Sequence, residues 1–140
     1  MITNDPVNHP QHYIFNDPLR GHNECIDYIK DVLGDKYSGY LLGNAIKYIW
    51  RHDSKGKPIE DLKKAQWYLA RYSSDVPDTS FVIDPMSWVT NTVDSEDIFE
   101  LRDLALYLIE IRRCVAAYLI VGKMVSWYAN QFLNGSSSHD

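Results

Sequence analysis

From Leu101 to Phe132 the chain repeats apolar residues in steps of three and four with no helix breaker: Leu101, Leu104, Leu108, Ile111, Val115, Tyr118, Gly122, Val125, Ala129 and Phe132. Such steps place side chains on one stripe of an α-helix. Sustained over several heptads, they form a seam of the coiled-coil kind. Read as a single helix of roughly 38 residues, this stretch makes a rod about 57 Å long. A chain of 140 residues cannot wrap that rod by itself. The middle turns, around Val115, Ala116, Ala117, Leu119, Ile120 and Val121, are apolar nearly all round and call for neighbours on several sides. The expectation is a long helix that joins copies into a homo-oligomer. Asp94 or Ser95 would cap it, with Glu96, Asp97 and Glu100 near its positive end. The alternative is a helical hairpin bent at Gly122 and packed within one chain.

Shorter helices are expected ahead of the rod. The opening, DPVNHPQHYIFNDPLRGHN, is rich in Pro, Asn and Asp and reads as an extended arm. A first helix over 23–33 puts Cys25, Ile26, Ile29, Val32 and Leu33 on one side and stops at Gly34. A second over 37–52 groups Leu41, Leu42, Ala45, Ile46 and Ile49, with Asn44, Lys47, Tyr48 and Arg51 on the opposite arc. Pro58 suits the first turn of a third, over 58–73, whose buried side is Leu62, Ala65, Leu69 and Tyr72. The expected fold is therefore all-α. A compact three-helix unit with its arm spans 1–75, a linker 76–94, the oligomerisation helix 95–134 and a disordered tail 135–140. Within the linker, FVI can pair as a short strand.

Charge narrows the function. The net charge is −5, and the whole excess lies after residue 75. A non-specific nucleic-acid binder needs a large basic surface, which this chain lacks. Its basic residues cluster instead at Lys47, Arg51, Lys55, Lys57, Lys63 and Lys64, a patch sized for a small anion. The longest apolar run, CVAAYLIVG, is far short of the ~20 residues of a membrane span. Two distant cysteines, Cys25 and Cys114, and no apolar leader point to a reducing, cytoplasmic setting.

Asn44, Lys47 and Arg51 share one helix side at i, i+3, i+7. Arg offers a donor fork matched to phosphate oxygens and Lys a compact charge. Lys63, Lys64 and Arg71 complete a cationic pocket if the second and third helices pack antiparallel. Glu24, Asp27 and Asp31 form an acidic stripe on the first helix. Either Mg²⁺ bridging a phosphate or a salt-bridge lattice to Lys47 and Arg51 would relieve it. Asp61 lies at the edge of the third helix's buried side. His9 and His12, three apart in NHPQHY, make a weak metal signal, and His12 and Tyr13 can stack on a base. No phosphate-binding glycine loop is present.

The blocks VNHPQHY, ECIDYI, GNAIKYIWRH and EDLKKAQWYLARY, in this order over about residues 7–73, resemble a family of small bacteriophage proteins, often called SaV-like. That family includes a P-loop-less nucleotide kinase of T7-like phages. The matching positions are Asn8, His9, Pro10, His12, Tyr13, Glu24, Asp27, Gly43, Asn44, Lys47, Tyr48, Arg51, Asp61, Leu62, Lys64 and Ala65. The resemblance implies a nucleotide ligand. Asn8, His9, His12, Tyr13, Asn44, Lys47, Tyr48, Arg51 and Lys64 would then bind it, Glu24 and Asp27 would hold Mg²⁺, and Asp61 or His12 would orient the acceptor of a phosphoryl group from ATP. In the kinase branch the shared blocks sit near the C-terminus, whereas here they come first. The alternative is an oligomeric sponge that sequesters a nucleotide, for example a host-defence signal, and needs no metal. Lesser alternatives are a helical nucleotide pyrophosphatase and a structural adaptor.

Overall fold

Two glycines and a proline set the boundaries of the first three helices. In the computed structural model, which describes residues 14–17, 22–54, 56–76 and 97–137, α1 runs Cys25–Leu33. It ends where Gly34 enters the left-handed region at φ 57°, with its N–H donating to the Lys30 carbonyl. Only a residue without Cβ takes that backbone freely. One 3₁₀ turn, Gly34–Lys36, leads into α2, Tyr37–Trp50. Gly56, at φ 77°, helps turn the chain back, and Pro58 opens α3, Pro58–Asp75, where its missing N–H is no loss. Ahead of α1, the strands β1, Ile14–Asp17, and β2, His22–Glu24, pair antiparallel, with Ile14 opposite Glu24. The fold is all-α apart from this short ribbon.

The expected rod is two helices. α4 spans Ile98–Glu110 and α5 spans Cys114–Ser137. The bend falls at residues 111–113, not at Gly122. Arg112 stands at φ 63°, and its N–H donates to the Ile109 carbonyl at 2.9 Å, while the Arg113 N–H reaches the Leu108 carbonyl at 2.7 Å. That pair of bonds is a Schellman C-cap, with arginine where glycine normally stands. The Arg112 side chain compensates. Its Nη1 donates to the carbonyls of Ile109 and Glu110, placing positive charge at the negative end of α4. At the other end Asp97, rather than Asp94 or Ser95, is the cap: its Oδ1 accepts from the N–H of Phe99 at 2.8 Å and of Glu100 at 3.3 Å. The α5 backbone stays helical through Ser137, into the expected tail.

The bend also resets which face is buried. α4 buries Leu101, Ala105, Leu108 and Ile109, and α5 buries Ala116, Ala117, Ile120, Val121 and Met124. Ile111, Tyr118 and Phe132, members of the continuous seam, are exposed. α4 and α5 cover each other, α5 packs on α3, and α3 packs on α2. Small residues permit this closeness: a Cβ on Gly122 would lie 3.3 Å from Gln66 Nε2 of α3, and that same nitrogen donates to the Tyr118 carbonyl. The chain thus covers part of its own apolar stripe, while Ile111, Tyr118, Phe132 and Leu133 stay exposed. α2 contributes Leu41, Leu42, Ala45 and Ile49 to the core and α3 contributes Leu62, Ala65, Leu69 and Tyr72. Two expected core residues are exposed instead, Ile46 at 40% and Val32 at 65%. The N-terminal arm with Asn8, His9, His12 and Tyr13, the FVI segment, Asp94, Ser95 and Lys55 lie outside the described residues.

Candidate functional site

α2 and α3 pack antiparallel, and their shared outer face carries the polar chemistry. The Tyr48 ring lies over that of Tyr68 with centroids 6.0 Å apart and planes 15° from parallel. Three cations approach it: Lys47 Nζ at 4.8 Å from the ring centroid, the Arg51 guanidinium carbon at 5.2 Å and Lys64 Nζ at 5.5 Å. Helical spacing explains the convergence. Lys47 and Arg51 flank Tyr48 on α2, and the antiparallel register brings Lys64 across from α3. The negative ring face draws positive charge, but three cations around one ring also repel one another, which leaves a seat for an anion. Lys64 is shared with Glu60, 3.8 Å away, whereas Lys47 and Arg51 have no carboxylate partner among the described residues. Lys47 is exposed and Arg51 half-buried. Asn44 Nδ2 donates to the Tyr40 carbonyl of its own helix at 2.9 Å, so part of its hydrogen-bonding capacity is already used.

The turn beside these cations holds the protein's unusual groups. Among the described residues His52 and Asp61 are the buried polar side chains, 0% and 5% exposed. His52 Nδ1 donates to the Ile49 carbonyl at 2.7 Å, since a carbonyl can only accept. Its ring meets Tyr128 of α5 edge-on at 5.5 Å. Burial pushes the Tyr128 hydroxyl above its ordinary pKa, and the charge of Asp53 adds to that. Asp61 stands in the first turn of α3, where the helix dipole favours a negative charge. Arg51 Nε, His52 Nε2 and Asp61 Oδ2 are closed to solvent and have no hydrogen-bond partner among the described residues. Buried polar atoms are nearly always paired, so three orphans within eleven residues of sequence set this turn apart among the described residues.

Asp27, on the acidic stripe of α1, forms an ion pair, as one of the two expected arrangements has it, but with a different cation. Asp27 Oδ1 accepts from Arg71 Nη2 at 3.0 Å, and Arg71 Nε donates to Asp75 Oδ2 at 2.8 Å. The Tyr37 hydroxyl donates to the same Asp75 oxygen at 2.9 Å, with Lys30 Nζ 4.0 Å away. Burial pushes the Tyr37 hydroxyl up to about 12, and its bond to Asp75 adds to the rise. Burial works against the Arg71 charge, but Tyr37 and Asp75 outweigh it and hold its pKa above the ordinary value. This clasp ties α1, α2 and α3 together, and its cation is Arg71, not Lys47 or Arg51. Asp27 is held by Arg71, and no group of three or more His, Cys, Asp or Glu among the described residues could hold a metal ion.

Residues 7–70 match the model of a family described as a protein of unknown function, DUF3310. The match covers a little under half of the chain. It takes in α1, α2 and nearly all of α3, hence Lys47, Tyr48, Arg51, His52, Asp61 and Lys64, and stops before α4. Searches of the curated proteins and of the solved structures find no match. Among the described residues no helix is long and apolar enough to cross a membrane.

Of the sequence-derived site, the structure brings Lys47, Tyr48, Arg51 and Lys64 together, with Asp61 in the neighbouring turn, and leaves Glu24 and Asp27 apart in the α1 region. His52 was missed. Its signal was available: position 52 continues the stripe of Leu41, Ala45 and Ile49, so a histidine there points into the core.

Proposed function

We propose that the α2–α3 hairpin binds a phosphate-bearing small molecule of the nucleotide class without needing a bound metal. The observation that carries this reading is the meeting of Lys47, Arg51 and Lys64 at the Tyr48 ring, two of the three cations having no carboxylate partner among the described residues. Phosphate answers both that charge and the open Arg51 Nε–H. The resemblance to the SaV-like phage family, with its nucleotide kinase branch, supports a nucleotide over a bare anion. Sequestration is the favoured activity, as in a protein that captures a host-defence nucleotide. Kinase chemistry with Mg²⁺ and ATP loses support from the engagement of Asp27 by Arg71. Assembly of several copies through 95–134 is not part of this reading, because that segment folds back on itself.

Thermal-shift titration with a panel of nucleoside mono-, di- and triphosphates tests it, with Mg²⁺ and ATP added in a parallel arm. The expected result is stabilisation by at least one nucleotide without metal, with the ligand recovered intact after denaturation. Phosphorylated product in the ATP arm would replace sequestration by phosphoryl transfer. No stabilisation by any nucleotide would overturn the reading.

A further inference from the structure

The cations account for a phosphate and leave the row of rings beside them unexplained. Tyr48 is one end of that row. The Tyr68 ring of α3 lies 6.0 Å from it, 15° from parallel, and the Tyr40 ring meets Tyr68 edge-on at 6.1 Å. Trp67 flanks the row on the α3 side, 5.0 Å from Tyr68. Helical spacing builds it: positions 40, 44 and 48 share one side of α2, and Tyr68 touches the rings on either side of Asn44. All four rings are half-buried, so each keeps surface towards solvent, while the hairpin's inner side is packed by Leu41, Ala45, Leu62, Ala65 and Leu69. Resting on the phosphate reading above, we infer that the Tyr40–Tyr68–Tyr48 row takes the base of the bound nucleotide and that Asn44 reads the edge of that base.

Distance ties the row to the phosphate seat. Lys47, Arg51 and Lys64 gather 4.8, 5.2 and 5.5 Å from the Tyr48 ring, and Tyr68 stands one ring further on. The step from cations to row is that of one nucleotide, whose base lies one sugar beyond its phosphate. Every base has a π-face that stacks on an aromatic side chain, so the rings supply affinity for a base without choosing which one. A bare phosphate would leave them uncovered. The choice falls to Asn44. Its Nδ2 donates one N–H to the Tyr40 carbonyl at 2.9 Å, which fixes the orientation of the amide. The second N–H and Oδ1 have no partner among the described residues, leaving one donor and one acceptor on the same group. That pair matches a base edge carrying an amino group beside a ring nitrogen, the way asparagine pairs with adenine.

Calorimetric titration of the full chain tests this with inorganic pyrophosphate, ribose 5-phosphate and the four common ribonucleoside 5′-monophosphates. At least one nucleotide is expected to bind about tenfold or more tightly than ribose 5-phosphate, the size of one stacked base. Tyr68→Leu is expected to erase most of that ratio while pyrophosphate still binds, and Tyr68→Phe, which keeps the ring, to retain it. Tyr40→Leu, at the far end of the row, supplies the same test where Tyr68→Leu fails to fold. Asn44→Ala is expected to draw the four nucleotide affinities together. Equal affinity for the nucleotides and ribose 5-phosphate would overturn the base inference and leave the phosphate reading standing. A folded Tyr68→Leu or Tyr40→Leu chain that keeps the full ratio would reduce the rings to packing and overturn it as well. Affinities that stay as far apart in Asn44→Ala as in the wild type would overturn the role of Asn44. No binding by any probe, pyrophosphate included, would bring down both the base inference and the phosphate reading.

Discussion

The two helical hairpins of this protein divide its tasks. Among the described residues the α4–α5 pair buries apolar side chains and one thiol: Ile98, Leu101, Leu108, Ile109, Ile120, Val121 and Met124, with Cys114 and with Ala105, Ala116 and Ala117. The α2–α3 pair has an equally apolar inner side but also carries the buried His52 and Asp61, the three orphaned polar atoms and the cation cluster on Tyr48. One hairpin obeys the rule that buried atoms are either apolar or paired; the other breaks it at one turn. Local violations of that kind are expected at functional sites, where a stable scaffold elsewhere carries the strain. The DUF3310 match stops with the hairpin that breaks the rule. The second hairpin acts as the brace against which α3 is held.

That division is open to attack in order of effect size. Truncating the brace should be the most damaging change. Ile109→Ala or Ile120→Ala, each emptying a fully buried site, is expected to cost about 2–5 kcal/mol in urea unfolding. Nucleotide affinity measured on the remaining folded protein should not change. Arg51→Ala should do the reverse, weakening nucleotide binding by about 2 kcal/mol through loss of a charge-assisted contact. It should leave the unfolding midpoint nearly unmoved, since Arg51 has no carboxylate partner among the described residues to strand. A variant that moved both quantities together would show that site and brace are not separate.

Tyr37→Phe comes next. It removes the 2.9 Å bond to Asp75 and is expected to cost about 1 kcal/mol near neutral pH. The same residue sets a pH dependence. Its folded pKa, about 12, lies above the ordinary 10, so the unfolded chain gives up the proton first. The stability Tyr37 contributes is therefore present below pH 10 and is lost as pH rises from 10 towards 12. The raised pKa of Tyr128 acts in the same direction. Chemical denaturation across that range should show the decline, and it should be shallower in Tyr37→Phe.

The smallest effect concerns the bend. Arg112→Gly should be more stable than Arg112→Ala by about 1 kcal/mol, because glycine takes the left-handed backbone without strain. In a continuous helix the order would reverse, alanine being favoured by about 1 kcal/mol. A thermal melt of the two variants thus decides between hairpin and rod.

This bend also shows where the sequence stops being readable. α1, α2 and α3 could be bounded to within two residues because Gly34 and Pro58 are strong local signals and apolar spacing did the rest. The turn at 111–113 carries no such mark. Arginine fills the glycine position, and its own side chain bonds the carbonyls that the turn exposes. Apolar steps of three and four ran across it by coincidence of phase, which made two helices resemble one. In the site, Lys47, Arg51 and Lys64 were legible from spacing along each helix. The pairing of Asp27 with Arg71 was not, since it joins residues 44 apart and depends on how α1 lies against α3. Asp61 could be suspected from its place at the edge of an apolar face, but its burial and its unpartnered oxygen are properties of the folded chain that spacing does not encode.

The most direct test of the central claim follows the Arg51 Nε–H itself. In ¹⁵N-labelled protein its side-chain resonance should shift on addition of a nucleotide, together with the backbone signals of residues 48–64, while α4 and α5 stay unchanged. An Arg51 Nε–H that remains in place at saturating nucleotide, or shifts confined to the second hairpin, would contradict the account.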